Sequence, residues 1–290
     1  MSEEIITIGK GDLKVSVSVS DGQVVSINKN EHEYIHGGAL PEKLKRREDK
    51  NGWQRSDLEM FPVVGPVYDL CINSGNTLYP MGQHGIIRTL RPLRGEFSDY
   101  NAAFHYEYNG EDVDNIKGKD PARINFQPFR FSKFIDTKNK KVEQLFTIKN
   151  LSNEDMRYNF GLHPAFKLEG SIDDWKLSIP GENVFQLETI LDDIKKNDTV
   201  FLKNNKNLIL YNNNIQKSVT LDFDDFNHSM LWTKDPHNPT FLCMEPVRHL
   251  PELIKGVQRY FLDSNNKNPY AFDTLKPQEE RTYSMLINPL

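Results

Sequence analysis

The sequence predicts an all-β protein, an antiparallel sandwich or barrel, on three observations. Strong helix formers are scarce: six alanines stand against 17 phenylalanines and 11 tyrosines, and aromatic side chains suit a pleated, half-buried surface better than a helix. Apolar and polar residues alternate in run after run, the period of a strand with one buried face. Polar turns separate these runs at short intervals, as in sandwiches and barrels.

The elements follow in order. LKVSVSVSDGQVVSIN (13–28) sets Leu13, Val15, Val17 and Val19 against Lys14, Ser16 and Ser18, then turns at Asp21-Gly22, a hairpin signature. Residues 30–58 are polar and irregular and read as a long loop with some helix. FRFSKFIDTKNKKVEQLFTIKN (129–150) repeats the hairpin form about a lysine and asparagine turn. FLKNNKNLILYNNN (201–214) reads as a surface hairpin, and KSVTLDF, SMLWT, TFLCME and RTYSMLINPL read as further strands. With no internal repeat, no Pro/Gly/Ser-rich linker and no shift in composition, a single domain over 1–290 is expected.

The bulk numbers exclude several functions. The 290 residues are 37% hydrophobic and 27% charged, with net charge −5 from 36 basic and 41 acidic residues, an ordinary balance for a soluble globular chain. The basic residues are scattered, and their densest cluster, EKLKRRED (42–49), alternates in sign and reads as a solvated face. A nucleic-acid partner would need an uncompensated basic stripe. Cys71 and Cys243 sit in strand-like contexts and read as buried reduced thiols, the cytoplasmic pattern. The opening MSEEIITIGKG lacks a basic stretch followed by an apolar core, so no secretory signal is expected, and no apolar run approaches the ~18 residues of a membrane span.

Five stretches combine reactive groups with stiff backbone. WQRSDLEMFPVVGP (53–66) carries Arg55 ahead of Phe61-Pro62 and Gly65. GQHGIIRT (82–89) sets His84 between glycines, with Arg88 after it. FGLHPAF (160–166) holds His163, which Pro164 biases toward extended geometry. LWTKDPH (231–237) carries Trp232. TFLCMEPV (240–247) runs an apolar strand into Glu245, a carboxylate that is costly there unless paired or used. Each residue alone has an ordinary structural explanation, so the case rests on the set.

Taken together, Trp-x-Arg-Ser, Phe-Pro-x-Val-Gly, His-Gly-x-x-Arg, Gly-x-His-Pro-x-Phe and Glu-Pro, in this order, resemble the aldose 1-epimerase (galactose mutarotase-like) superfamily. The nearest branch is that of the LacX-type proteins. The resemblance implies a large antiparallel β-supersandwich that binds a sugar or sugar phosphate in a groove on one sheet, as monomer or homodimer, with no metal or organic cofactor. It places the family's general base on Glu245, its general acid on His163 and its second active-site histidine on His84. Arg55, Arg88 and Trp232 are expected to bind substrate, Arg55 matching the arginine of the sugar-phosphate branch.

This chain departs from the family at several places. Gly65-Pro66 replaces the usual Gly-Arg, His-Gly-Ile-Ile-Arg-Thr replaces His-Gly-Phe-Ala-Arg-Asp, and Glu-Pro-Val replaces Glu-Pro-Trp. SDLEM (56–60) is unusually acidic, and the family's substrate-contacting aspartate has no clear counterpart near FLKNNKNLIL. These changes touch substrate contacts more than the acid–base pair.

The implied activity is anomer exchange of a hexose or hexose phosphate. Opening the sugar ring takes a proton from the anomeric hydroxyl and gives one to the ring oxygen, work for a carboxylate and an imidazolium. Two other readings compete. His84, His163 and Glu245 are also the ingredients of a non-haem iron triad, and the same groove without turnover would make a carbohydrate-binding protein.

Overall fold

A computed structural model describes residues 4–37, 53–67, 71–75, 77–115, 121–181, 183–250, 252–254, 257–259 and 272–290. EKLKRRED and most of the expected 30–58 loop lie outside these residues. The described ends of that loop are partly ordered as strands, at His32–Glu33 and Asp57–Met60.

Two antiparallel sheets face each other. The larger has nine strands, in the order Val184–Gln186, Trp175–Ser178, Asn207–Asn212, Lys217–Asp222, Glu280–Pro289, Val142–Asn150, Phe129–Asp136, Asn101–Tyr108 and Arg94–Phe97. The smaller has five: Val200–Lys203, His228–Trp232, Phe241–Val247, Gly161–Lys167 and Asp57–Met60. A separate four-stranded sheet, which contains the expected hairpin as Leu13–Ser18 and Val24–Lys29, completes the amino-terminal part. Among the described residues no helix is long and apolar enough to cross a membrane.

Burial alternates along the strands and follows the sequence pattern at most positions, with Lys133 and Gln144 buried in place of Phe134 and Leu145. Phe129, Phe131, Ile135, Phe146 and Ile148 turn from the large sheet into the space between the sheets. Phe131, Phe146 and Tyr283 there meet Phe160, which leads into the Gly161–Lys167 strand, with ring centroids 6.1, 5.7 and 5.0 Å apart. Such contacts between aromatic rings add to the apolar area they bury.

Two expectations are corrected here. FLKNNKNLILYNNN is no hairpin: its first strand pairs with His228–Trp232 in the small sheet, and its second pairs with two strands of the large one. The asparagine and lysine turn between them carries the chain from sheet to sheet. Cys71 is only half-buried, because its strand pairs with a short exposed one, whereas Cys243 is fully buried.

One α-helix, Leu187–Asn197, went unread because the argument from composition averages over the chain. Its buried residues, Leu187, Ile190, Leu191 and Ile194, keep helical spacing within one short window.

The acidic SDLEM segment also has a structural account. Leu58 and Met60 turn to the outer face of the small sheet, while Asp57 and Glu59 point between the sheets. Lys133 of the large sheet meets them there, its Nζ 2.8 Å from Asp57 and 2.7 Å from Glu59, all three side chains being buried. Lys133→Met is expected to lower stability by about 3–5 kcal/mol, the usual cost of stripping one partner from a buried ion pair. A lower urea midpoint reads this, and adding Asp57→Asn and Glu59→Gln should recover much of the loss.

Burial pushes the Glu59 carboxyl from its ordinary 4.5 up to about 7, with Asp57 adding to the rise and Lys133 opposing it. A carboxyl raised in the folded state stabilises the fold below its ordinary value, and this is lost as pH rises through about 7. Glu59→Gln should therefore flatten the decline in stability across that window.

Candidate active site

The register of the small sheet builds the site. Gly161 pairs with Val247 and Ala165 with Cys243, which sets His163 beside Glu245 on adjacent strands. His163 also pairs with Leu58, and Glu245 with Met230. Because strand residues alternate in facing, Leu162, Phe166, Leu242 and Met244 enter the core. His163, Cys243 and Glu245 share the outer face.

His163 Nε2 lies 3.2 Å from Glu245 Oε1, and the two residues are only 5% and 2% exposed. Burial pushes the Glu245 carboxyl well above its usual range, and the negative charge of Asp198 pushes it the same way. This raises its affinity for a proton, the property asked of a general base working near neutrality.

Aromatic rings wall the pair. Trp53 stacks on the His163 imidazole at 4.6 Å, and Trp232 meets it edge-on at 5.7 Å. Phe241 packs against both indoles.

His84 stands edge-on to His163, ring centroids 5.5 Å apart. The loop that carries it is tightly wound. His84 N–H donates to Gly65 O, and Ile86 N–H donates to Phe61 O. Gly85 has φ +74°, and a Cβ there would stand 2.1 Å from Phe61 O, so only glycine fits. Gly65 N–H donates to His84 Nδ1 at 3.1 Å, and the Gln83 side-chain amide lies 3.2 Å from His84 Nε2.

Arg88 follows in the short 3-10 helix Ile87–Thr89. Its Nη1 donates to Gln83 O at 3.4 Å, while its buried Nε has no hydrogen-bond partner among the described residues. Burial and the neighbouring positive charge of Arg55 bring the Arg88 guanidinium down to about 10, still charged at neutral pH. Arg55 itself reaches Asp21 at 3.4 Å.

The structure thus brings His163, Glu245, His84 and Trp232 together, and sets the charge of Arg55 against Arg88. The iron-triad grouping is not the one found: among the described residues the potential ligand set is His163, Cys243 and Glu245, while His84 holds Gly65 through Nδ1.

Three residues were missed. Trp53 stood in the quoted Trp-x-Arg-Ser motif, and Cys243 stood two residues before Glu245, on the same face of a strand. Asp198, at the end of the helix with φ 66°, carried no sequence signal. It lines an open groove of about 1000 Å³ formed by Asp193–Phe201 and Thr233–His237, and its charge also bears on Glu245.

No family model matches the sequence. The chain is 26% identical to the chromosomal protein LacX of Lactococcus lactis, across 75% of this chain and 85% of that protein. It superposes on a galactose mutarotase-like protein from Lactobacillus casei with TM-score 0.76 at 20% identity, covering 99% of this chain and 100% of the other. A galactose mutarotase related enzyme from Lactobacillus acidophilus gives 0.75 at 20% identity, covering 99% and 97%. A GalM/aldose epimerase homologue from C. elegans gives 0.67 at 10% identity, covering 99% of both chains.

Proposed function

We propose that this chain, which has the galactose mutarotase-like fold and is 26% identical to LacX, is an aldose 1-epimerase acting on a hexose or hexose phosphate. The observation that carries the reading is the His163–Glu245 pair, in contact at 3.2 Å on the outer face of one sheet.

Glu245 takes the proton of the anomeric hydroxyl while His163 protonates the ring oxygen. The ring opens, C1–C2 rotates, and both transfers reverse on closure at the other face. The reaction needs no nucleophile or redox step, and it already proceeds in water. Two positioned groups at roughly 10²–10⁴ each are therefore sufficient. His84 hydrogen-bonds to a sugar oxygen and orients it without changing charge. Trp53 and Trp232 offer apolar faces to the ring, and Asp198 accepts from a hydroxyl at the groove side.

The arginines favour an anionic sugar. A buried guanidinium beside a second one, with Nε unpaired among the described residues, suits a phosphate, which takes charge-assisted hydrogen bonds from both. Arg88→Ala is expected to raise KM about 10- to 150-fold for a hexose 6-phosphate and little for the free hexose, the loss of one such contact. Arg55→Ala should act in the same direction. Equal effects on both sugars would remove phosphate recognition from these residues.

The deciding experiment is NMR anomer exchange over a panel of free and phosphorylated hexoses. Catalysed exchange of any member supports the reading. Sugar binding with exchange at the uncatalysed rate would make the protein a carbohydrate-binding module instead.

A further inference from the structure

We propose that the floor of this site is also a binding site for a thiophilic divalent cation of the zinc class, held by Cys243 Sγ, His163 Nε2 and a Glu245 carboxylate oxygen, and that the bound cation switches the site off. The inhibition rests on the proposed acid–base roles of His163 and Glu245; the binding does not.

The ligand atoms are already gathered. Those of Cys243, His163 and Glu245 all lie within 4.8 Å of one another, and the nitrogen–oxygen edge of that triangle is 3.2 Å. Tetrahedral zinc has bonds of about 2.3 Å to sulfur and about 2.0–2.2 Å to nitrogen or oxygen, so its ligands sit roughly 3.2–3.8 Å apart. Closing the set shortens its longest edge by roughly 1.0–1.6 Å at most. The strands supply the rest: Cys243 and Glu245 share one face of their strand, and Ala165, the Cys243 partner, shares its face with His163.

Charge and softness select the ion. On binding, Cys243 S–H gives its proton to solvent and becomes a thiolate ligand, while His163 binds through a neutral Nε2. Thiolate and carboxylate together cancel the 2+ charge. A neutral cluster is the form that such a buried place tolerates best, since an unbalanced charge there is heavily penalised. A thiolate–imidazole–carboxylate set favours zinc over magnesium or calcium, which prefer oxygen ligands. Three protein ligands leave a fourth position for water. The cation would occupy both the nitrogen that donates and the oxygen that accepts a proton, so no anomer exchange could proceed.

The test uses the intact protein. Cobalt(II), added to metal-free wild type, is expected to give a near-ultraviolet thiolate-to-cobalt band that zinc displaces and a chelator removes. Cys71→Ser should keep the band. Cys243→Ser should lose it and bind zinc at least ~10²-fold more weakly by calorimetry, since even a residue behind a ligand is worth 10- to 100-fold. His163→Asn should also weaken binding, and provides a second check should Cys243→Ser fold poorly. Zinc should abolish anomer exchange reversibly in the wild type and far less in Cys243→Ser.

A wild-type protein with no thiolate band, or a Cys243→Ser variant with wild-type zinc affinity, overturns the site. A band that depends on Cys243 in a protein without anomer exchange leaves the cation site standing and removes the mutarotase reading. Exchange unaffected by zinc, with no band, does the reverse.

Discussion

Glu245→Gln is expected to lower kcat by at least ~10² while sugar binding is largely preserved. Glutamine is nearly isosteric and still hydrogen-bonds to His163, but it cannot accept the anomeric proton. The variant should fold at least as well as the wild type. Burial and Asp198 both disfavour the charged carboxylate, and a neutral amide avoids that penalty. The pH dependence has a definite sign. A carboxyl held well above its usual range leaves the base protonated to higher pH than an ordinary glutamate, so wild-type kcat should fall as pH drops through that raised value. The acid limb should be absent from the residual activity of the variant. Stopped-flow polarimetry and a denaturation curve read both outcomes. Near-normal turnover in a folded Glu245→Gln protein would make Glu245 a structural carboxylate and end the acid–base mechanism.

Much of this architecture was legible because strand alternation is a local signal. LKVSVSVS, FRFSKFID and VEQLFTIK mark most of the buried side chains, but Ser18, Lys133 and Gln144 are buried there while Val19, Phe134 and Leu145 are not. Features that depend on which strands meet were not legible. The burial of Asp57 and Glu59 was not legible, because nothing near them in sequence marks Lys133, whose strand lies in the opposite sheet. FLKNNKNLILYNNN looked like one hairpin because alternation carries no sheet label: Val200–Lys203 and Asn207–Asn212 are alike in pattern and lie in different layers.

The site divides in the same way. His163, Glu245 and His84 were found through motifs in which proline or glycine fixes the backbone around them. Asp198 was not found. It stands at a helix end that chain-wide composition conceals, and its influence on Glu245 is electrostatic and acts through space. Cys243 was read only as a buried reduced thiol. Only the register with Ala165 and the spacing to Glu245 turn its sulfur toward the pair.

His163→Asn is the second large effect, expected to cost roughly 10²–10⁴ in kcat with the fold and sugar binding retained. A histidine this buried has an alternative explanation, that it braces the strand by packing under Trp53 and bonding to Glu245. The two explanations part on what asparagine preserves. It is smaller than imidazole and stacks poorly on Trp53, so a bracing histidine would show as lost stability with normal turnover in the surviving folded fraction. An asparagine amide can still donate one hydrogen bond to the ring oxygen, but it has no proton to give up near neutral pH. A proton-donating histidine would therefore show as a folded, sugar-binding protein with low kcat. The alkaline side of the profile adds a separate check. Wild-type kcat should fall as the donor loses its proton, and that limb should vanish or move in His163→Asn. His84→Asn should weaken binding and rate together without moving it, since a residue that only orients the sugar need not change charge. A folded His163→Asn protein with wild-type turnover would return His163 to the core and leave Glu245 without its partner acid.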